Sequence, residues 1–291
     1  LAHLDAEFAK NQLMLLNKEW YMAPNGQIPA YEWNFSDVNP PVQAWAAFKV
    51  YQIDKKKTGK GDVDFLKRIF NKLALNFTWW VNQQDKNENN VFQGGFLGLD
   101  NIGVFDRSHA IPGGGYLEQV DGTAWMALYC LNMLEISIEI SLVDKSFEDM
   151  ATKYLGHFVF IAEALNNLNQ ESVGNWDKDE GFFYDRLVKP NGEHVPVKIR
   201  SIVGLLSLAA VLVIPEDTLD KLPTFKRSLE WFRNYRMYKS KYRVIQSSTK
   251  QGVLLSLVSQ DRLKVLMKTL LDEKEFLSDY GIRALSKIHE Q

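Results

Sequence analysis

GGFLGLDNIGVFDRS, residues 94–108, is the stretch from which the rest of the chain is read. Gly94, Gly95, Gly98 and Gly103 interrupt any helix, yet Phe96, Leu97, Leu99, Ile102, Val104 and Phe105 make it far more apolar than a solvated connection. Loops at a surface are polar because their backbone groups need water, so an apolar glycine-rich segment is expected to be packed and to carry function. Two acids lie in it, Asp100 and Asp106.

The pattern on both sides of this loop is helical. Val63 to Val81 reads as a helix with one polar face, and Gly122 to Leu142 as a helix buried nearly all round, with Asp121 as its expected N-cap. Further back, Leu4 to Trp20 is amphipathic. The breaker-rich APNGQIPAYEWNFSDVNPP follows, and Pro40 and Pro41 then open an apolar helix from Val42 to Ile53. Further on, Phe147 to Leu168 continues as an amphipathic helix, and ESVGNWDKDEGFFYDRLVKPNGEH holds two strand-like pieces around a PNG turn. Ile199 to Val213 reads as a nearly all-apolar helix, Thr218 to Tyr235 as an amphipathic one, 236–252 as irregular and 260–271 as helical.

Long loop, buried helix, short turn and amphipathic helix thus recur three times. Antiparallel helix pairs return the chain to its starting side, so the three long loops are expected on one face. The expected fold is one all-α domain over residues 1–291 of the (α/α)6-toroid type, with a small β-hairpin among the loops. Such a ring closes with about six helix pairs and some four are found here, so it is expected to be incomplete and open at one edge, where apolar helix faces invite self-association.

The 34 basic and 36 acidic residues nearly cancel, which argues against nucleic acid or a membrane surface as partner. Aromatics make up 12% of the chain and include eight Trp, flat apolar platforms with a polar handle that favour a small carbohydrate or glycoside. Cys130, the single cysteine, excludes a disulfide framework. His3, His109, His157, His194 and His289 are scattered singly, so neither a metal site nor a cofactor is expected. No run of 18 apolar residues and no signal-peptide pattern is found, and a soluble, cytoplasmic protein is the expectation.

Each long loop sets carboxylates beside aromatic rings, the combination that glycoside hydrolysis uses: one carboxyl protonates the leaving oxygen, another activates water, and rings stack on the sugar. Asp100 is the candidate general acid, because desolvation in an apolar loop raises a carboxyl pKa toward neutrality; Asp106 is the fallback. The candidate substrate-binding residues are Tyr31, Trp33 and Asn34 in the first loop, Asn101, Asp106, Glu118, Gln119 and Trp125 in and after the second, and Trp176, Asp177 and Tyr184 in the third. Two other readings are weighed against hydrolysis. Sugar epimerisation needs two histidines at one pocket, for which His109 and His194 are the candidates. A non-catalytic carbohydrate binder needs only the pocket.

GLDNIGVFDRS resembles the general-acid loop of glycoside hydrolase family 63, which includes processing α-glucosidase I and mannosylglycerate hydrolase. NPPVQAWAAF resembles the family's Pro-Pro-Val helix entry, and GFFYDRLVKPNGEHVPVKIRSIVGLLSLAA resembles its hairpin and following inner helix. This resemblance implies an (α/α)6 toroid and inverting hydrolysis of α-glycosidic bonds with Asp100 as acid. It departs from the family at Ile102 and Gly103, where relatives carry Ser or Tyr and Pro. The family's base, a Glu beyond a Trp-Arg-Gly stretch, has no counterpart in these 291 residues, so the expectation is a chain truncated at its C-terminus.

Overall fold

The structure, a computed structural model, describes residues 1–18, 20–31, 34–85, 87–95, 97–99, 102–107, 109–166, 174–236, 244–247 and 252–290. Its main elements are α1 (Ala6–Leu16), β1 (Pro29–Tyr31), β2 (Asn34–Val38), α2 (Gln43–Thr58), α3 (Val63–Gln84), β3 (Tyr116–Glu118), α4 (Val120–Ser141), α5 (Glu148–Asn166), β4 (Trp176–Asp177), β5 (Phe182–Phe183), β6 (Asp185–Val188) and β7 (His194–Val197). A 3-10 helix (Ile202–Ala209) follows, then β8 (Val211–Ile214), α6 (Glu216–Leu219), α7 (Pro223–Trp231), β9 (Ile245–Ser247), β10 (Val253–Ser256), α8 (Gln260–Leu270), β11 (Leu277–Ser278) and β12 (Gly281–Ile282). About half of the molecule is helical, and the strands form small antiparallel sheets rather than a single hairpin.

Local chemistry sets the helix limits. Asp62 accepts from Phe65 N–H at 3.0 Å to start α3, and Gly59, with φ 74°, ends α2 in the left-handed conformation that costs glycine least. α4 lies at the centre, packed against α2, α3, α5 and the 3-10 helix. Between α3, α4 and α5, Phe77 meets the rings of Tyr129 and Tyr154 edge-on, with centroids 5.3 and 5.0 Å away, and the Tyr129 hydroxyl donates to the Leu73 carbonyl at 2.9 Å. The stripe of α4 left partly exposed is Trp125, Leu128, Glu135 and Glu139.

Two expectations are corrected. The run from Ile199 to Val213 is not an α-helix but a 3-10 helix followed by a strand. Gly204 sits so close to β5 that a Cβ there would lie 2.3 Å from the Phe182 ring and 2.5 Å from the Phe183 carbonyl, and the β-branched Val211, Val213 and Ile214 pair with β10. A continuous apolar run does not by itself distinguish helix from buried strand. The second correction concerns 236–252, read as irregular: it contributes β9, which pairs with β10. Among the described residues no helix is long and apolar enough to cross a membrane.

The sheet that matters for the site is β3–β6–β7. Glu118 stands opposite Arg186, and Arg186 opposite Pro196, while Asp185 pairs with Val197. Alternation along a strand therefore sends Glu118, Arg186 and Pro196 to one face and Asp185 and Val197 to the other. Gly115 opens β3 with φ 95°, where a Cβ would come within 2.3 Å of the Val188 carbonyl.

Candidate functional site

The segment that begins the glycine-rich loop is stitched to the first turn of α4. Phe92 N–H donates to Thr123 Oγ1 at 2.9 Å, and Gln119 N–H donates to the Phe92 carbonyl at 3.0 Å. The Gln119 side chain, 2% exposed, accepts from Gly94 N–H through Oε1 and donates through Nε2 to the Gly95 carbonyl at 3.1 Å. Gly122 permits this approach, since a Cβ there would sit 3.2 Å from the Phe92 carbonyl.

The other end of the loop is held by charge. Arg107 donates to Asp121 Oδ1 at 2.5 Å, with the two side chains 3% and 0% exposed. Asp121, the expected cap of α4, lies instead inside the first turn, and Gln119 occupies the cap position without capping. The cap comes from β6: Val120 N–H donates to Asp185 Oδ1 at 2.8 Å, across 65 residues. Burial pushes the Asp185 carboxyl up to about 6; Arg107 and the Val120 N–H oppose this, and Asp121 adds to it. Leu99 and Ile102 line a small crevice together with Arg107, Asp185 and Ser201, so the loop closes directly over this cluster.

The first loop adjoins the second: a Cβ on Gly95 would lie 3.9 Å from Asp37 Oδ1. Beside it opens a cavity of about 820 Å³ whose walls include Trp20, Tyr21, Tyr31, Phe35, Gln43 and Trp125. Two of its buried polar atoms, Trp125 Nε1 and Gln43 Oε1, have no partner among the described residues. Asn34 enters the β1–β2 ladder opposite Tyr31.

The remaining candidates lie apart from this cavity. Glu118, 2% exposed, accepts from Asn89 Nδ2 at 2.8 Å and faces His194 Nδ1 at 3.2 Å. Asp106 pairs with His109 at 2.9 Å, both largely exposed. His109 lines a shallow pocket with Tyr116 and Gln119, and His194 is not among its lining, so the two histidines do not share that pocket. Asp177 is paired with Lys198 at 2.8 Å, which holds its carboxyl below the usual range, and Tyr184 donates to Glu180 and accepts from Arg200. Trp33, Asp100 and Asn101 lie outside the described residues. Arg107 and Asp185 are the anchors that sequence reasoning does not single out as site residues. Their signal is an Arg and an Asp inside apolar surroundings, and only the fold shows that they meet. Among the described residues no three His, Cys, Asp or Glu side chains converge as a metal site would require.

A helical molecule with loops gathered on the end of a buried central helix defines a class by its fold. Its likenesses among solved structures include an uncharacterized conserved protein from Thermus thermophilus, 15% identical, with a TM-score of 0.53 over 86% of this chain and 72% of that one. The GH63 mannosylglycerate hydrolase of the same organism, crystallised with glucose, is 14% identical with a TM-score of 0.50, again over 86% and 72% of the two chains. At such identities the likeness is one of fold. In sequence, the chain is 48% identical to the uncharacterized protein YMR196W of Saccharomyces cerevisiae over 307 aligned positions, which take in all of this chain and 28% of the yeast one. No family model matches the chain.

Proposed function

We propose that the protein is a glycoside hydrolase-like unit of the (α/α) toroid type that acts on α-linked glycosides by an inverting acid–base mechanism, with Asp100 as general acid. The observation that carries the reading is the fastening of the loop on either side of Asp100: before it, Phe92 N–H donates to Thr123 Oγ1 and Gln119 Nε2 donates to the Gly95 carbonyl, and after it stands the buried Arg107–Asp121 pair. A general acid works only when its carboxyl is held in reach of the leaving oxygen, and apolar sequence neighbours such as Leu99 and Ile102 favour the protonated carboxyl that the role requires. The fold likeness to the GH63 mannosylglycerate hydrolase supports the same class. Tyr31 and Trp125 line the large cavity and offer stacking surfaces for a sugar ring. The resemblance to family 63 assigns the base to a later segment. The chain spans 28% of the length of its yeast relative, and the activity is proposed for the whole protein.

Incubation with α-glucosides and α-mannosides, followed by NMR of the released anomer, tests this reading. Hydrolysis with release of the β-anomer is expected. Saturable sugar binding with no hydrolysis would replace the reading by a non-catalytic carbohydrate binder.

A further inference from the structure

The wall of the large cavity continues outward as an exposed apolar face. Leu16, Trp20, Phe35 and Val42 line the cavity and are all exposed, Trp20 by as much as 86%. Trp45, itself half exposed, stands one turn beyond Val42 along α2. Apolar side chains scattered singly over a surface need no explanation, whereas several on one wall make a patch of the kind that contacts protein. The loop that carries part of this face is held in place from behind. Asn76 donates through Nδ2 to the Gly26 carbonyl at 2.8 Å, and Gln27 donates through Nε2 to the Phe35 carbonyl at 2.8 Å.

Two neighbouring helices extend the face. Trp125 shares the cavity wall with Gln43 and Ala46 at the start of α2, and Glu139, near the end of α4, accepts from the Tyr51 hydroxyl at 2.6 Å and from Lys55 at 2.5 Å. α2 and α4 therefore run side by side in one direction, with the partly exposed Trp125, Leu128 and Glu135 of α4 along the seam. Glu135, one turn before Glu139, accepts no hydrogen bond among the described residues. Burial pushes its carboxyl up to about 7; Lys49 on α2 opposes this and Glu139 adds to it.

A seam between parallel helices, apolar at one end and carrying an unmatched carboxyl further along, fits an amphipathic helix that lays its apolar side on α2 and brings a Lys or Arg to Glu135. Length points to the source of such a helix. This chain spans 28% of its yeast relative at 48% identity, so most of that protein lies outside the shared part. We propose that this face docks an amphipathic helix bearing a basic side chain, supplied by polypeptide outside residues 1–291 in a longer protein such as the yeast relative. It is then an interface within one protein, and it stands whether or not that protein is a hydrolase.

The test is the rate of alkylation by N-ethylmaleimide of Trp45→Cys in the 291-residue chain and of the same substitution at the aligned position of the full-length yeast protein. Alkylation is expected to be at least tenfold slower in the full-length protein, while Trp231→Cys, exposed on α7, reacts at the same rate in both. Equal rates at the Trp45 position, or a slowing that Trp231→Cys shows in the same measure, overturns the proposal. So does a slowing within the 291-residue chain that grows with its concentration, which would make a second copy the occupant. Glu135→Lys tests the charge: it is expected to lower the thermal unfolding temperature of the full-length protein more than that of the 291-residue chain, and an equal lowering overturns the basic contact. The exposed Trp45 position keeps the test open if Glu135→Lys does not fold.

Discussion

The two faces of the β3–β6–β7 sheet treat a buried arginine in opposite ways. On the face of Asp185, Arg107 meets two acids, one capping α4 and one within its first turn, and the charges close upon each other beneath the glycine-rich loop. On the face of Glu118, Arg186 stands opposite one acid that Asn89 and His194 already engage, and its Nε is left over together with Asn175 Oδ1. Each face keeps buried polar atoms without a hydrogen-bond partner among the described residues, Asp121 Oδ2 on the first and Arg186 Nε and Asn175 Oδ1 on the second. The faces thus differ in how the arginine's charge is balanced rather than in how fully its neighbourhood is satisfied.

The comparison is tested most severely by removing each arginine. Arg107→Met leaves Asp121 fully buried with its charge uncompensated and is expected to cost about 3–5 kcal/mol in urea unfolding at neutral pH, with less lost in acid where the carboxyls protonate. Arg186→Met leaves Glu118 with two partners and is expected to cost about 1–3 kcal/mol. Equal losses would erase the distinction between the faces.

Gln119→Leu ranks next. It strands Gly94 N–H and the Gly95 carbonyl, and an expected loss of about 1–3 kcal/mol for each should come with faster hydrogen exchange confined to residues 92–95. Exchange rising equally across α3 and α4 would show that Gln119 supports the whole core rather than the loop.

The pH response of Asp185 is smaller and has a definite sign. Its folded carboxyl holds a proton to about 6, above its ordinary range, so between about pH 4 and 6 the folded state keeps a proton that the unfolded chain has released. Stability contributed by this group therefore falls as pH rises through that window and levels off above it. Asp185→Asn, whose Oδ1 can still accept from Val120 N–H, should flatten that fall in a series of thermal melts. An unchanged pH profile would place the titration elsewhere. Smallest of all, His109→Ala removes an exposed pair with Asp106 and should leave stability within about 0.5 kcal/mol of the original.

How far the sequence can be read follows from the range of each interaction. α3 and α4 are legible because their periodicity is local, and their read limits fall within a residue or three of the observed ones. The cap of α4 is not, since Asp185 reaches it from 65 residues away while the nearer Asp121 turns to Arg107. Ile199 to Val213 misleads because its apolar run contains both the glycine that a ring of β5 requires and the valines that a strand prefers. Tyr31 and Trp125 line the large cavity, whereas Trp176, Asp177 and Tyr184, which carry the same aromatic and acidic pattern, line another crevice. The apolar character of the glycine-rich loop is read directly, but only part of it is buried, Leu97 being covered and Val104 exposed, and its ties to α4 are polar ones through Gln119, Thr123 and Asp121.

The central claim is that this anchored loop presents a general acid, and leaving-group dependence tests it most directly. Rates of the protein and of Asp100→Asn are to be compared on α-glycosides with a poor alkoxide leaving group and with an activated dinitrophenolate. The account predicts a loss on the order of a hundredfold to ten-thousandfold for the poor leaving group and little for the activated one, which needs no proton. Equal rates for the two proteins on the poor leaving group would contradict it.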